Sequence, residues 1–153
     1  MYQNENSRLN LPSFDYKIKE SEGKHYIFDV IRKKYIFITP EEWVRQHFIH
    51  LLLSQYGYSR SLIRIEGGHI YNELNKRSDI LVYDRNGLPH LLVECKSADI
   101  EIDKKTILQA SIYNQKYKAP YLAVTNGINH FCWKIDHDTH SFTQLKDLPK
   151  FSE

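Results

Sequence analysis

What the sequence lacks narrows the field first. Apolar runs such as Leu51-Leu52-Leu53 and Leu91-Leu92-Val93 fall far below the roughly 20 residues that span a bilayer, so no membrane helix is expected. Cysteine is scarce: Cys95 and Cys132 are the 2 present, far apart in a chain of 153 residues. A domain of that size builds a core without a staple, so they read as reduced, buried thiols in an intracellular protein. An excess of one charge is also missing. Lys plus Arg is 21 against 19 for Asp plus Glu, a net +2, so a polyanion partner would have to be gripped by a local patch. The opening Met1-Tyr2-Gln3-Asn4-Glu5-Asn6 has no apolar segment of the kind that begins a secretory signal. Secreted, membrane and disordered classes are excluded, and a cytoplasmic location is expected.

Aromatic residues, by contrast, are plentiful: Tyr 11, Phe 7 and Trp 2, or 13%. A Tyr-rich core and surface accounts for them. Stacking on bases is a second use that composition alone cannot reveal.

Residues 1–153 read as a single domain, with a core at about 39–135, an N-terminal hairpin at about 24–38 and a polar tail at about 136–153. Tyr26-Ile27-Phe28 and Tyr35-Ile36-Phe37-Ile38 flank Arg32-Lys33-Lys34, a pattern of two short strands around a charged turn. Thr39-Pro40-Glu41-Glu42 starts a helix: Thr39 caps, Pro40 suits the first position, and Glu42 stands where a capping box needs an acid. That helix runs to about Tyr56, with Val44, Phe48, Leu51 and Leu52 as its apolar stripe. Strands follow at 62–66, 78–83 and 89–96, with Gly67-Gly68 as a bulge and Asn86-Gly87 as a hairpin turn. Asp103 caps a second helix through about Tyr117; strands at 121–125 and 130–135 surround Asn126-Gly127, and a last strand lies near Phe142. The hairpin is antiparallel and the helical crossover permits a parallel return, so the expected class is α/β, a mixed sheet flanked by helices in the order helix, three strands, helix, two strands.

The chemistry concentrates in Asp79, Glu94 and Lys96. Side chains alternate along a strand, so Glu94 and Lys96 share a face, roughly 7 Å apart at Cα, while Cys95 points away. The Asn-Gly hairpin brings Asp79 back beside Glu94. Two carboxylates and an amine are costly in a half-buried strand pair unless something holds them, and a hard divalent cation does. Mg²⁺ favours oxygen ligands and keeps several waters, so two carboxylates and a carbonyl suffice. The lysine would then orient or deprotonate an attacking water, a combination suited to phosphodiester hydrolysis. Glu41 lies three, seven and eleven residues before Val44, Phe48 and Leu52, which places a carboxylate on the core-facing stripe. Gln109 and Tyr113 stand one turn apart on the second helix. The other candidates read as structural: His137-Asp138-Thr139-His140 as a surface turn, Cys95 as a core thiol, and Arg32-Lys33-Lys34 as a solvated turn.

Asp79 with Glu94-Cys95-Lys96 resembles the PD-(D/E)xK nuclease signature, and Gln109-Ala-Ser-Ile-Tyr113 resembles the QxxxY motif of its RecB-like branch. A closer likeness, over roughly residues 25–135, is to the N-terminal nuclease-like domain of type I restriction enzyme R subunits. It is carried by Phe28-Asp29-Val30-Ile31-Arg32-Lys33-Lys34, Thr39 to Gln46, Lys76 to Asp84, Leu92 to Lys96 and Val124-Thr125-Asn126-Gly127. The resemblance implies a restriction-endonuclease-like core and a Mg²⁺-dependent DNA endonuclease, with Mn²⁺ able to substitute. Asp79, Glu94 and the Cys95 carbonyl would hold the metal and Lys96 would serve the water. Glu41 would be an auxiliary helix carboxylate, and Gln109 with Tyr113 would support the site or the DNA backbone. Lys76, Arg77, Lys104 and Lys105 flank that site and would meet phosphates. Ser78 replaces the family's proline before Asp79, a residue that shapes the strand and does no chemistry. The sequence has no GxxxxGK[ST] loop, so an enzyme that translocates DNA would need a motor or specificity subunit in trans. The rival reading is a catalytically silent nucleic-acid-binding or assembly module that retains the nuclease fold.

Overall fold

A computed structural model describes residues 9–67 and 78–151. Six strands form one mixed sheet in the order β4-β5-β6-β7-β8-β9: β4 (Ile63–Gly67), β5 (Ser78–Tyr83), β6 (Pro89–Cys95), β7 (Tyr121–Thr125), β8 (His130–Asp136) and β9 (Ser141–Leu145). Only β6 and β7 run parallel, because the chain between them crosses over through a helix, α2 (Lys104–Asn114). The fold is the α/β class expected, a mixed sheet flanked by helices.

The hairpins form where turn chemistry asks for them. Asp84 Oδ1 accepts the Asn86 and Leu88 N–H groups, and Gly87 adopts φ +79°. The β7–β8 turn is built the same way on Asn126, whose Oδ1 accepts the Ile128 and Asn129 N–H groups. Gly127 is required there for space as well as for its φ of +86°: a Cβ would stand 2.8 Å from Leu9 and 3.1 Å from Val44.

Alternation along the sheet sorts its residues into two cores. Ile80, Val82, Leu91, Val93 and Cys95 face α1 (Pro40–Ser54), meeting Val44, Phe48, Ile49 and Leu52. Leu81, Leu92, Leu122 and Val124 face α2 and its Ala110. The first helix starts as its sequence dictates, with Thr39 Oγ1 accepting the Glu42 N–H. α2 is capped by Asp103, which accepts the Thr106 N–H.

Three expectations change. The N-terminal hairpin is a three-stranded antiparallel sheet of β1 (Ile18–Ser21), β2 (Lys24–Asp29) and β3 (Lys34–Phe37); β1 is polar and mostly exposed, so it carries no alternation to read. This small sheet covers the flank of α1, joining Ile27 and Ile38 to Trp43. The first helix is therefore buried along 42–49 without a break, where its sequence showed one stripe. α2 ends at Asn114, short of Tyr117, because the Asn114 side chain turns back to bond both the N–H and C=O of Ala119 while Lys118 takes φ +54°. The last strand expected near Phe142 is β9, and beyond it the Phe151 N–H donates to Tyr56 O at 2.9 Å. The second glycine of the Gly67-Gly68 pair lies outside the described residues.

Candidate active site

The β5–β6 register pairs Ile80 with Val93 and Leu81 with Leu92. One step further along the same ladder, Asp79 stands opposite Glu94, so the two acids share a face. It is the face of Leu81 and Leu92, under α2. Both carboxylates are buried. Lys96, the first residue beyond β6, returns to that face and sets its Nζ 3.0 Å from Glu94 Oε1, with the side chain 29% exposed. The Lys96 N–H donates to Thr125 O at 2.8 Å, which fixes the chain as it leaves the sheet. Asp79 and Glu94 have contacts beyond these. Even so, among the described residues Asp79 Oδ2 and Glu94 Oε2 are buried oxygens that accept no hydrogen bond, which is costly for a carboxylate.

Cys95 points to the opposite face, into the core beneath α1. Burial pushes its thiol pKa far up, and the negative charges of Asp79, Glu94 and Glu41 add to the rise while Arg45 opposes it. The thiol is therefore protonated and inert, as its strand phase implies. The three carboxylates and Arg45 all act on this one position, so α1 and the strand end are electrostatically joined across residue 95.

The acids of α1 exchange the roles expected of them. Glu41 is 36% exposed in its side chain and pairs with Arg45 Nη2 at 2.8 Å; it is a half-exposed ion-pair partner, not a carboxylate on the core-facing stripe. Glu42 is the buried one. Its Oε1 accepts from Arg32 at 2.8 Å and Arg45 at 2.9 Å, and its Oε2 from Gln46 at 3.2 Å. Buried cations draw this carboxylate away from the capping-box position. Arg32 is likewise no solvated turn residue: its Nε lies 2.7 Å from Asp29 Oδ2.

Asp29 completes a lattice that sequence reading missed. Its Oδ1 accepts the Ile31 and Arg32 N–H groups, and its Oδ2 accepts Gln46 Nε2 at 2.8 Å as well as Arg32. Burial works against this charge, but Arg32 and Gln46 outweigh it and hold the Asp29 pKa below the ordinary 3.8. Arg45 shows the same logic with the opposite sign: burial would lower its pKa, yet Glu42 and Glu41 keep the guanidinium firmly charged at 2% exposure. The i, i+3 and i, i+4 spacings of Glu42 to Arg45 and Gln46, and of Glu41 to Arg45, were the available signal.

Gln109, Lys104 and Lys105 are exposed. Tyr113 packs partly buried against the Leu81–Leu92 core, its hydroxyl 3.4 Å from that of Tyr117. Lys76 and Arg77 lie outside the described residues. The His137–His140 segment is a turn organised by Asp136, which accepts the Asp138 and Thr139 N–H groups.

Among the described residues no three His, Cys, Asp or Glu side chains are grouped to hold a metal. Two carboxylates with a neighbouring backbone carbonyl remain. That donor set fits a hard, largely hydrated ion such as Mg²⁺.

Residues 40–149 match the family described as type I restriction enzyme R protein N terminus, which takes in the first helix, the whole six-stranded sheet and α2. No curated protein and no solved structure matches the chain. No described helix is long and apolar enough to cross a membrane.

Proposed function

The chain belongs to the type I restriction enzyme R protein N-terminus family, a restriction-type nuclease family, and on that footing we propose that it is a metal-dependent DNA endonuclease with Asp79, Glu94 and Lys96 as its reacting groups. The observation that carries the reading is their convergence. Two buried acids face each other from adjacent strands, and a lysine 3.0 Å from one of them reaches solvent. Asp79, Glu94 and the Cys95 carbonyl would hold Mg²⁺ or Mn²⁺. The ion, when bound, lowers the pKa of a coordinated water and neutralises charge developing on the phosphate.

Lys96 does the positioning. Its ammonium is anchored on Glu94 while its stem reaches outward, so it holds the attacking water in line with a phosphodiester lying across the strand end. Lys104 and Lys105 sit in the first turn of α2, where the helix dipole disfavours cations. A phosphate there would relieve both, and with Lys76 and Arg77 they form the proposed grip on DNA. Gln109 and Tyr113 offer the backbone polar contacts from α2.

Purified protein should nick plasmid DNA with Mg²⁺ or Mn²⁺, and Glu94→Gln should abolish the nicking. Equal cutting by both proteins would assign the activity to a contaminant and end the proposal. The lean set of two side-chain ligands also keeps the silent binding module in view. Mn²⁺ titration separates the two readings: binding lost in Asp79→Asn supports the nuclease, and indifference to metal supports the rival.

A further inference from the structure

The small N-terminal sheet has two unlike faces. Ile18, Ile27 and Ile36 are cross-strand neighbours on the inner face, and Ile27 is fully buried beside Trp43. The outer face repeats one pattern in two rows. Lys19 pairs with Tyr26 and Tyr26 with Phe37. In the second row Phe28 pairs with Tyr35, and the Phe28 N–H donates to Lys17 O at 2.9 Å, which continues the register to Lys17. Each row thus reads lysine, aromatic, aromatic, and the rows lie roughly 7 Å apart along the strands. Lys24 lies on the same face, beside Phe37.

The rings touch edge to face, Tyr26 with Phe37 at 5.8 Å and Phe28 with Tyr35 at 5.4 Å between centroids. Tyr35 is 38% exposed and Phe37 48%, unusual for rings on a regular strand. Lys19 Nζ stands 4.4 Å above the Tyr35 ring and Lys24 Nζ 5.9 Å from that of Phe37. None of the strand residues on this face is acidic: they are Lys19, Ser21, Lys24, Tyr26, Phe28, Tyr35 and Phe37.

We propose that this outer face is a platform for single-stranded nucleic acid, with Tyr35 and Phe37 stacking on unpaired bases and Lys17, Lys19 and Lys24 meeting phosphates. The chemistry selects that occupant over a protein. Interface cores between proteins are depleted of charge, and covering this face with apolar side chains would bury Lys19 and Lys24 without a counterion. A single strand brings flat apolar rings and one negative charge per nucleotide together. A base arriving on Tyr35 takes the ring face that the Lys19 ammonium now covers, and the displaced ammonium turns to the adjoining phosphate. Duplex DNA keeps its bases stacked inside and offers the rings nothing.

This inference stands apart from the nuclease reaction, so the test removes the reaction. In the Asp79→Asn background with EDTA, fluorescence anisotropy follows a labelled oligo-dT strand and a duplex of equal length. The double variant Tyr35→Ala/Phe37→Ala should weaken single-strand binding by about 30-fold or more and leave duplex binding unchanged. Lys19→Gln/Lys24→Gln should flatten the salt dependence of single-strand binding. Tyr35→Phe/Phe37→Tyr, which keeps both rings, should bind as the parent does and shows that a loss is not a folding defect. Single-strand affinity unchanged in the ring double variant, the result if the face docks a protein, would overturn the proposal. So would equal losses for strand and duplex.

Discussion

Two clusters of buried acid lie on either side of strand β6, and they are finished differently. On the α1 side, Asp29 and Glu42 meet Arg32, Arg45 and Gln46, and each of their four carboxylate oxygens accepts at least one charged or amide donor. On the α2 side, Asp79 and Glu94 have Lys96 beside them and one oxygen each that accepts no hydrogen bond among the described residues. The first arrangement is closed: its cations come from the chain and the charge is settled by folding. The second opens toward solvent through Lys96, whose side chain is 29% exposed. Buried polar groups are normally satisfied, and the exceptions in a native fold tend to mark chemistry. The closed cluster has a flaw of its own, since Gln46 Oε1 also takes no hydrogen bond. That atom is a neutral amide oxygen, cheaper to strand than a carboxylate's.

The largest test of this contrast removes a cation from the closed side. Arg45→Met keeps the stem and deletes the guanidinium, leaving Glu42 buried with one cation fewer. Breaking a buried pair from one side costs about 3–5 kcal/mol, so urea unfolding should show a loss of that order. A loss under about 1 kcal/mol would mean that Arg45 is not the keystone its contacts suggest. Asp29→Asn ranks next. It preserves shape but removes the charge that Arg32 answers, and charge-assisted bonds of this kind are worth about 2 kcal/mol. Because Asp29 ties the small sheet to α1, proteolysis should strike residues 18–37 of this variant before the main sheet opens.

The open side should respond in the reverse direction. Asp79→Asn and Glu94→Gln each remove a buried like charge facing another across the strand pair, so stability without added metal should hold level or rise by up to about 1 kcal/mol. Cleavage should fall at least about 100-fold in both. Activity and stability measured on the same preparations separate the clusters: closed-side variants lose stability first, open-side variants lose only cleavage. A large destabilisation by Glu94→Gln would make its pair with Lys96 structural.

Why one cluster was readable in sequence and the other was not follows from periodicity. A strand repeats every two residues, so Glu94 and Lys96 had to share a face, and an Asn-Gly turn set the return of Asp79. Helix caps and hairpin ends were readable for the same local reason. The closed cluster depends on a second layer. Which face of α1 carries Glu41 or Glu42 into the interior is decided by the small sheet packed on its flank, and a helical wheel drawn against one sheet cannot contain that information. β1 escaped because its exposed face leaves no alternation, and the end of α2 because one asparagine side chain overrides helix propensity.

The smallest effect is the response to acid, and the clusters differ there too. Burial lowers the pKa of His47, His50, His90 and His130 from 6.5. Below about pH 6.5 the unfolded chain therefore binds protons that the folded one refuses, and stability declines as pH falls from there toward the folded values. Asp29 behaves differently. Its folded pKa lies below 3.8, so its contribution is complete above that value and disappears only as pH falls through the folded pKa. Urea unfolding between pH 7 and pH 3 should thus show two declines, an early one from the histidines and a late one from Asp29 with Asp103 and Asp136, whose pKa values are lowered too. Replacing His130, whose Nδ1 lies 2.7 Å from Thr125 Oγ1 and whose Nε2 lies 3.0 Å from Asn10 O, with glutamine should soften the early decline and leave the late one. Asp29→Asn should do the converse. If Asp29→Asn altered the early decline, the lattice would be titrating with the histidines, and the closed cluster would not be as settled as its geometry requires.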